Sequence, residues 1–499
     1  PRRGRRLVAE VVGQAWRIDA TFAAGETGWW QAATDVAPAR LGFDERARCC
    51  LEAEGDLAPG LVVTFLDEAR QPLGRAAGDA GHEIDLPVPA GTARVRLGLR
   101  LTGPGASIIR GLRIGRPVRP VAPPLLRREH LLIARQYPSY GDLYRFGFVH
   151  TRVAGYAARG RPVDVFRLRD GVPASFAEYR GVDVATGSPV HLARLLETGR
   201  HRGLLVHFLA EPMWDLIRRH APATPIHVWV HGVEIQPWWR RDFNYDTDAE
   251  RAAAREASDA RVAFWRRLLA EAPDDLRLVF VSRSFAEEVM EDLGVRIPED
   301  RYTVIHNPID TELFAYRPKP AEQRKRILSI GSYATRTYAN DLAVRAVLDL
   351  ATRPWFGELE FRFVGDGRLF DEVLAPLRGM PNVAIERRFL APHEIRDMHR
   401  EHGVFLRPSR CDSQGVSRDE AMASGLVPVT NAVGAIPEFV DAECGFLAAP
   451  EDAAGLAAGI EALVLDADRF AAMSASAARR VRRHSAIDAV LAREMALFA

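Results

Sequence analysis

Two hydrophobic periodicities divide this chain of 499 residues into an N-terminal and a C-terminal part. Up to about residue 115, apolar and polar residues alternate in stretches such as LVVTFLD, HEIDLPV and ARVRLGLRL, which glycine, proline and aspartate turns separate. Alternation with a period of two is typical of strands that bury one face. We therefore predict an antiparallel β-sandwich over residues 1–115 and, in the segment RPVRPVAPP, a semi-rigid linker over residues 116–127.

After residue 128, short continuous apolar runs alternate with helical stretches, a pattern that predicts parallel sheets covered by helices. We predict an α/β fold with two facing Rossmann-like domains, at residues 128–308 and 309–485, and a last helical segment at residues 486–499. The predicted strands lie in HLLIARQYP, PVDVFRL, GLLVHFL, PIHVWVHG and LRLVFVS of the first domain, and in RKRILSIGS, LEFRFVGDG, NVAIERR, GVFLR and LVPVT of the second.

Composition narrows the classes of partner. The hydrophobic content of 47% is that of a globular protein, and the formal net charge of +1 gives no electrostatic reason to expect nucleic acid as a partner. No apolar run reaches the roughly 18 residues that a membrane-spanning helix needs, so we expect a cytoplasmic protein and leave open its association with the inner face of the membrane. Only two lysines, Lys319 and Lys325, occur among the 67 Lys and Arg residues. Any cationic phosphate clamp must therefore be built from arginine, whose planar fork can grip two oxygens.

The stretch RPSRCDSQGVSRDEAMASGLVPVTN, residues 407–431, carries the candidate chemistry. A short strand ends near its start, and we predict a helix that opens at Ser417, with Ser417 and Glu420 at capping-box spacing. The backbone N–H groups of Gly415, Val416 and Ser417 would then favour an anion such as a diphosphate. Asp412 and Glu420 stand eight positions apart around this helix start. Two structural alternatives stay open, a turn residue for Asp412 and a capping partner for Glu420.

This stretch resembles the acid-x7-acid signature of family 4 retaining glycosyltransferases, with Asp412 in place of the usual Glu. Further phrases of that family follow in order over about residues 130 to 490, namely VIHNPIDTELF, ILSIG, FVGDG, IPEFV and GFLA. The resemblance implies a GT-B fold and a last helix, within residues 486–499, that crosses back to the first Rossmann-like domain. It also implies a nucleotide-sugar donor, a UDP- or GDP-sugar, with Asp412 near the sugar hydroxyls and Glu420 on the ribose.

The resemblance also points to a missing pair of cations. Family 4 enzymes commonly place an Arg and a Lys after the first strand of the second domain, where this chain has Ser332 and, near the Lys position, Thr337. We predict that Arg336 replaces them, with Arg410 and Arg418 in reserve. Transfer is expected to retain the anomeric configuration by same-face attack, without a metal or another cofactor, because arginine and helix-end amides can stabilise the diphosphate.

Further contacts are predicted around the cleft. His231 directly follows the strand HVWV and matches a cleft histidine of the related enzymes, so we count it with Asp412 and Arg336 as catalytic. The glycines of FVGDG would let the backbone approach the donor or would only form a tight turn. The remaining predicted contacts are Gly365, Gly367 and Leu390 for the donor, and Gly141 and Glu234 for the acceptor or its phosphate loop.

Three functional hypotheses follow. The leading one is a retaining glycosyltransferase that moves a sugar from a nucleotide-sugar donor to a glycan or lipid-linked acceptor. Its role in polysaccharide biosynthesis is implied by the resemblance alone. A nucleotide-sugar epimerase of similar fold would act on the donor without any acceptor. A non-catalytic glycan-binding or scaffold protein would work through the sandwich, whose tryptophans Trp16, Trp29 and Trp30 fit either a carbohydrate-binding surface or a core.

Overall fold

The computed structural model divides the chain into two compact units, residues 1–123 and 124–499. Of the predicted linker, residues 116–127, only residue 126 belongs to the described part of the chain. The described residues are 7–12, 15–43, 45–57, 59–114, 126, 128–140, 146–171, 174–271 and 273–498.

The first unit is an antiparallel β domain, as predicted. Its strands form two sheets with the orders β1-β2-β9-β4-β7 and β3-β8-β5-β6. Every strand pairing in these sheets is antiparallel. The strands are β1 (Leu7–Val12), β2 (Ala15–Thr21), β3 (Thr27–Gln31), β4 (Arg46–Gly55), β5 (Gly60–Leu66), β6 (Pro72–Asp79), β7 (Glu83–Pro87), β8 (Arg94–Thr102) and β9 (Pro104–Ile114).

Both sheets contribute to one hydrophobic core. Ile18 and Leu51 from one sheet lie in the same buried cluster as Val63 and Leu99 from the other. Strands such as β7 alternate exposed and less exposed side chains, as the period-two pattern predicts, whereas β5 is buried along its whole length. Trp16 and Trp29 are exposed, as a carbohydrate-binding surface would require, while Trp30 is partly buried against the core. Glycan binding by this unit stays a prediction.

The second unit contains two parallel sheets, as the alternation of apolar runs and helices predicts. Their orders are β12-β13-β11-β10-β14-β15-β16-β17 and β20-β19-β18-β21-β22-β23. The first sheet is formed by β10 (His130–Ala134), β11 (Asp164–Leu168), β12 (Ser175–Tyr179), β13 (Val182–Gly187), β14 (Gly203–His207), β15 (Ile226–Val230), β16 (Leu276–Phe280) and β17 (Tyr302–Val304). The second is formed by β18 (Arg326–Ser332), β19 (Glu360–Asp366), β20 (Val383–Arg387), β21 (Val404–Leu406), β22 (Val427–Asn431) and β23 (Phe446–Ala448).

In the first sheet, the apolar pattern predicts β10, β11, β14, β15 and β16 but not β13, β17 or the edge strand β12. Strand β12 pairs antiparallel with β13, whereas the other pairings of the sheet are parallel. Only Tyr179 of β12 is buried, so the strand contains no apolar run that would reveal it. Edge strands carry this weaker signal because one side of them faces solvent.

Helices cover both parallel sheets, and none in the described part of the chain is long and apolar enough to cross a membrane. They are α1 (Gly147–Ala158), α2 (Pro189–Leu196), α3 (Glu211–His220), α4 (Asp248–Glu271), α5 (Arg283–Leu293), α6 (Asn340–Leu350), α7 (Phe370–Leu374), α8 (Pro392–Glu401), α9 (Val416–Ala423), α10 (Ile436–Phe439), α11 (Ala453–Leu465), α12 (Ala467–Ser485) and α13 (Ile487–Leu497).

We call the two sheets with their helices the first and second lobes, and the chain crosses between them twice at one place. Ile309, on the outward crossing, donates its N–H to the carbonyl of Ser485 at 2.8 Å, and Ile487 donates to the carbonyl of Ile309 at 3.0 Å. Helix α13 then lies against the first lobe, where Val490 and Leu491 join its core. The side-by-side crossings form the connection about which the lobes are arranged.

A fully buried ion pair fastens α13 to the first lobe. Arg152 of α1 donates from Nε to Oε1 of Glu494 at 2.8 Å, and neither side chain is exposed. Glu494 also accepts from Tyr156 Oη at 2.5 Å and from Trp229 Nε1 at 3.0 Å. A buried carboxylate with three donors is tolerated because its lost hydration is replaced.

Replacing Arg152 with Met should therefore destabilise the second unit. The substitution leaves the Glu494 carboxylate buried without its cation, so we expect the free energy of unfolding to fall by about 3 kcal/mol. Urea unfolding followed by tryptophan fluorescence measures the change. The matched control is Arg159→Met on the same helix, since Arg159 pairs with the largely exposed Asp488. That variant should lose less than about 1 kcal/mol, and equal losses in both variants would contradict this account.

Candidate active site

Helix α9 begins one residue before the predicted start, and the predicted Ser417–Glu420 capping box is wrong. Gly415 is the N-cap residue with φ 92° and ψ 63°, and no side chain caps the helix. A Cβ at this left-handed position would also lie 2.8 Å from Arg418 Nη1 and 2.9 Å from Asp412 Oδ2. The glycine thus brings the backbone close to both charged groups. Within the described residues, the N–H groups of Val416 and Ser417 have no acceptor, so they remain available to an anion.

Asp412 lies in a tight turn just before this helix. Its Oδ1 accepts from the N–H of Gln414 at 3.0 Å, and its carbonyl accepts from the N–H of Ala435 at 3.0 Å. Burial raises the pKa of Asp412, while the guanidinium groups of Arg418 and Arg407 act against that shift. The residue therefore has the turn geometry that the sequence left open. Its Oδ2 has no hydrogen-bond donor in the described part of the chain and can still serve a ligand.

Glu420 is partly exposed on α9, and its carboxylate has no hydrogen-bond or ion-pair partner among the residues that the structure describes. Burial, with smaller effects of Asp419 and Asp310, raises the pKa of Glu420 to about 8. A carboxyl group that is held in a poorly solvated place without a donor is suited to ligand hydroxyls. The structure thus removes the capping interpretation of Glu420 but leaves its contact with a ribose a prediction.

The turn that carries Asp412 docks on the first lobe. Ser282 Oγ donates to the carbonyl of Ser413 at 2.7 Å, and Ser413 Oγ donates to the carbonyl of His231 at 2.9 Å. The side chain of Gln414 accepts from the N–H of Asn307 at 2.6 Å. These bonds bring the acidic turn and the predicted cleft histidine to the same side of the connection between the lobes.

His231 follows β15 at the carboxyl edge of the first sheet. Its Nε2 lies 2.9 Å from Nδ1 of His207, and its ring centroid lies 4.8 Å from that of Phe148 and 4.7 Å from that of Phe208. Burial lowers the pKa of both histidines well below the usual value. His231 is therefore a neutral imidazole at pH 7, which can exchange a hydrogen bond with a ligand but supplies no positive charge.

Glu234 secures the backbone next to His231. Its Oε1 accepts from the N–H of His231, and its Oε2 accepts from the N–H of Gly232 at 2.9 Å. Burial raises the pKa of Glu234 to about 7, although these backbone bonds act in the opposite direction. Because both carboxylate oxygens bind the turn, this arrangement favours a positioning role for Glu234 over the acceptor contact that the sequence suggests.

Arg336 and Arg410, two candidates for the phosphate clamp, already have carboxylate partners. Arg336 donates to both oxygens of Asp246, at 2.7 and 3.2 Å. Arg410 donates to Asp341 at 2.8 Å and to Glu451 at 2.6 Å. The two arginines line a cavity of about 630 Å³ together with Asp341 and Glu451. Their positive charge is balanced within the protein, which weakens the case for either as the clamp.

Arg407, which is not among the predicted site residues, is only 8% exposed at the carboxyl end of β21. Its Nη1 donates to Asn340 Oδ1 at 2.8 Å, and its guanidinium lies 4.5 Å from the centre of the Tyr338 ring. A Cβ at Gly331 would overlap this guanidinium. An arginine directly after a buried apolar strand, as in GVFLR, is the sequence signal that could have revealed it.

The two predicted glycines of FVGDG are required by close backbone packing. A Cβ at Gly365 would overlap the carbonyl of Gly331, and one at Gly367 would overlap the backbone of Tyr333. Gly367 also has a φ of 146°. The ends of β18 and β19 therefore approach each other as only glycine permits. This supports the tight-turn interpretation, and donor contact through the same backbone stays a prediction.

Leu390 and Gly141 are the two remaining predicted contacts. The Leu390 side chain is 2% exposed and packs in a core cluster with Leu328 and Val364, so only its backbone could meet a ligand. Gly141 lies outside the described residues.

No group of three His, Cys, Asp or Glu side chains arranged to hold a metal ion occurs in the described part of the chain. The sequence contains two Asp-x-Asp triplets, at residues 246–248 and 466–468. Asp246 pairs with Arg336, and Asp466 caps α12 by accepting from the N–H of Arg469 at 2.8 Å. The first aspartate of each triplet thus already binds a donor of the protein.

Known proteins share the fold of the second unit. Sucrose-phosphate synthase from Thermosynechococcus elongatus matches with a TM-score of 0.58 and 14% identity, over 74% of this chain and 98% of that protein. Anabaena HepE in complex with UDP and glucose matches with a TM-score of 0.54 and 15% identity, over 74% and 98% of the two chains. The fold is GT-B.

Sequence comparisons agree with that fold. Residues 324–466 match the family model for glycosyl transferases group 1. The chain is 28% identical over 200 residues to the lipopolysaccharide core biosynthesis mannosyltransferase LpsB of Rhizobium meliloti, covering 37% of this chain and 57% of that protein. It is 28% identical over 227 residues to a D-inositol 3-phosphate glycosyltransferase of Thermobispora bispora, covering 42% and 52%. The chain thus spans little more than half the length of these relatives.

A second contact between the lobes depends on a charged carboxylate. Glu438 of α10 accepts from the N–H of Arg283 at 3.1 Å and from the N–H and Oγ of Ser284 at 2.8 and 2.9 Å. Burial alone would raise the pKa of Glu438, but the bonds from His306, Ser284 and Arg283 outweigh it and lower the pKa to about 2. The carboxylate also faces the positive end of the α5 dipole.

Glu438→Gln should therefore destabilise the protein in a pH-dependent way. The folded pKa lies below the unfolded one, so the stabilisation is present above about pH 5 and fades as pH falls from the unfolded pKa towards 2. We expect the wild type to exceed the variant by about 2 kcal/mol at pH 7, and by less at pH 4, in urea unfolding. Glu443→Gln, at an exposed site nearby, is the control and should show no such difference. A loss that is the same at pH 7 and pH 4 would contradict this assignment.

Proposed function

We propose that this chain is a retaining glycosyltransferase that moves a sugar from a nucleotide-sugar donor to a glycan or lipid-linked acceptor. The observation that carries the proposal is the uncapped start of α9, with Asp412 and Glu420 on either side of it, docked next to His231 of the other lobe. The GT-B fold and the match of residues 324–466 to glycosyl transferases group 1 support it.

The geometry suits the charges that develop in such a transfer. Negative charge grows on the leaving diphosphate, and the free N–H groups of Val416 and Ser417 at the positive end of α9 can stabilise it. Asp412 Oδ2 and the Glu420 carboxylate have no donors within the described residues, so they can orient the hydroxyl groups of the sugar and the ribose. Closure of the lobes over the donor would exclude water.

We propose same-face transfer with retention, without a metal or other cofactor. A double displacement would need a carboxylate nucleophile, and the two acids of the site are assigned to hydroxyl groups instead. In the same-face route a donor phosphate oxygen takes the acceptor proton. The resemblance to retaining family 4 enzymes supports this choice.

The donor is proposed to be a UDP- or GDP-sugar. HepE, whose fold is similar, is named as a complex with UDP and glucose. The names of the two curated relatives, a lipopolysaccharide core mannosyltransferase and an inositol phosphate glycosyltransferase, fit a role in the synthesis of a polysaccharide or related glycan. A cytoplasmic location stays an expectation. Incubation with nucleotide sugars alone separates the epimerase alternative, which would interconvert the sugar without an acceptor.

Nucleoside diphosphates should stabilise the protein, and Glu420→Ala should remove most of that effect. A ligand that binds only the folded state raises the unfolding temperature, so a thermal-shift screen with UDP, GDP, ADP and CDP identifies the preferred base. Loss of the hydroxyl contact should weaken binding of that diphosphate about 10- to 100-fold. Glu401→Ala is the control, because Glu401 precedes β21 at the opposite edge of the sheet. Stabilisation that Glu420→Ala leaves unchanged would contradict the ribose contact.

Asp412→Ala should lose transfer while it keeps nucleotide binding. Its carboxylate is assigned to the transferred sugar, so removal should slow release of the nucleoside diphosphate from the sugar donor by at least about 100-fold. Affinity for the diphosphate alone, measured by calorimetry, should stay within about threefold of the wild type because no phosphate contact is lost. Undiminished turnover in this variant would refute the role of Asp412.

A further inference from the structure

The buried arginines of the second unit are not equivalent. Arg152 is paired with Glu494 and Arg418 with Asp419, the latter at 2.7 Å. Arg407 is also buried, yet it forms no ion pair with any residue that the structure describes. Its only side-chain acceptor there is the neutral amide of Asn340.

A guanidinium without an ion pair in this position is costly, although the charge of Asp412 acts on it. Moving a charged group out of water costs several kcal/mol unless an opposite charge and hydrogen bonds replace its hydration. The Asn340 amide and the face of the Tyr338 ring supply only part of that replacement. Folding energy alone gives no reason to keep a cation here, whereas an anionic ligand would supply the missing charge.

The surroundings hold Arg407 in one orientation. Asn340 accepts from Arg407 Nη1 and donates from Nδ2 to the carbonyl of Ser332 at 2.9 Å, which ties it to the end of β18. Gly331 leaves room for the guanidinium, since a Cβ there would overlap it. The planar group is therefore fixed beside the turn after β18, as a bidentate anion site requires.

That turn is the one that lacks the expected cations. Ser332 and Thr337 are neutral, and Arg336 is paired with Asp246. Arg407 instead reaches the turn from the neighbouring strand, for β18 and β21 pair directly through Ile327–Val404 and Leu328–Phe405. Asp412 is near enough for its charge to act on Arg407, which links the guanidinium to the acidic turn.

We propose that Arg407 binds the diphosphate of the nucleotide-sugar donor and supplies the positive charge of the clamp. The inference rests on the proposed function. It assigns to the end of β21 the charge that the resemblance expects after β18. The α9 N–H groups and the Arg407 fork then share the diphosphate, and Asn340 is a positioning residue.

The test separates the contribution of the phosphates from that of the nucleoside. Calorimetry compares UDP and GDP, the matching nucleosides and inorganic pyrophosphate on the wild type and on Arg407→Gln. We expect Arg407→Gln to weaken binding of the preferred diphosphate about 100-fold and to abolish pyrophosphate binding. Affinity for the nucleoside should stay within about twofold, a result that a merely structural loss would not produce.

Two further variants keep the test decisive. Arg407→Lys retains the charge without the fork and should bind the diphosphate about tenfold more weakly with unchanged nucleoside affinity. Arg326→Gln is the control, since Arg326 starts β18 at the opposite edge and pairs with Glu360. Its diphosphate affinity should match the wild type.

The failures are distinguishable. A wild type that binds no nucleotide overturns the proposed function and this inference together. If the wild type binds the diphosphate but Arg407→Gln or, where that variant is unfolded, Arg407→Lys binds it equally well, only the inference is overturned. Loss of diphosphate binding in Arg336→Gln but not in the Arg407 variants would assign the clamp to Arg336 instead.

Discussion

The buried amide of Gln414 ties the donor-site turn to the connection between the lobes. Its Oε1 accepts from the N–H of Asn307, while Nε2 donates to the carbonyl of Asn307 at 3.3 Å and to Asp419 at 3.0 Å. Asn307 in turn accepts from Arg152 at 3.0 Å, and Arg152 is paired with Glu494 on the last helix. A satisfied buried network specifies one geometry, because any displaced member leaves a polar group without a partner. The acidic turn is positioned over the first lobe in this way.

The buried charged and titratable side chains near this network fall into two groups, those that already have a partner in the protein and those that do not. Arg152 and Arg418 are each paired with a buried carboxylate of the protein, Glu494 and Asp419 respectively. Among the described residues, Arg407 has no ion pair and the carboxyl group of Glu420 has no hydrogen-bond donor, which raises the free energy of the empty site. Such groups are retained where a ligand completes them, and both lie at the carboxyl edge of the second sheet. Glu234 differs from Glu420 in this respect, because both of its carboxylate oxygens already accept hydrogen bonds from the backbone N–H groups of His231 and Gly232.

Local errors in the predicted site have a common cause. The spacing of Ser417 and Glu420 fits a capping box, but Gly415 adopts a left-handed conformation and starts the helix earlier. The choice of Arg336 for the clamp follows from its position in the chain, yet Asp246 of the other lobe neutralises it. In the first case the left-handed backbone of Gly415 overrides the local pattern, and in the second a residue distant in sequence does so.

The sequence by itself determined the alternation of strands and helices, the antiparallel first unit and the acidic stretch at the end of β21, because periodicity and glycine placement express local physics. Even so, the pattern did not show the edge strand β12, whose side chains mostly face solvent. Only the tertiary structure decided which cations are already paired and which remain for a ligand. Pairing depends on contacts such as Arg336–Asp246 and Arg152–Glu494, between residues 90 and 342 positions apart. No local pattern encodes contacts over such separations, whereas packing of the two lobes creates them.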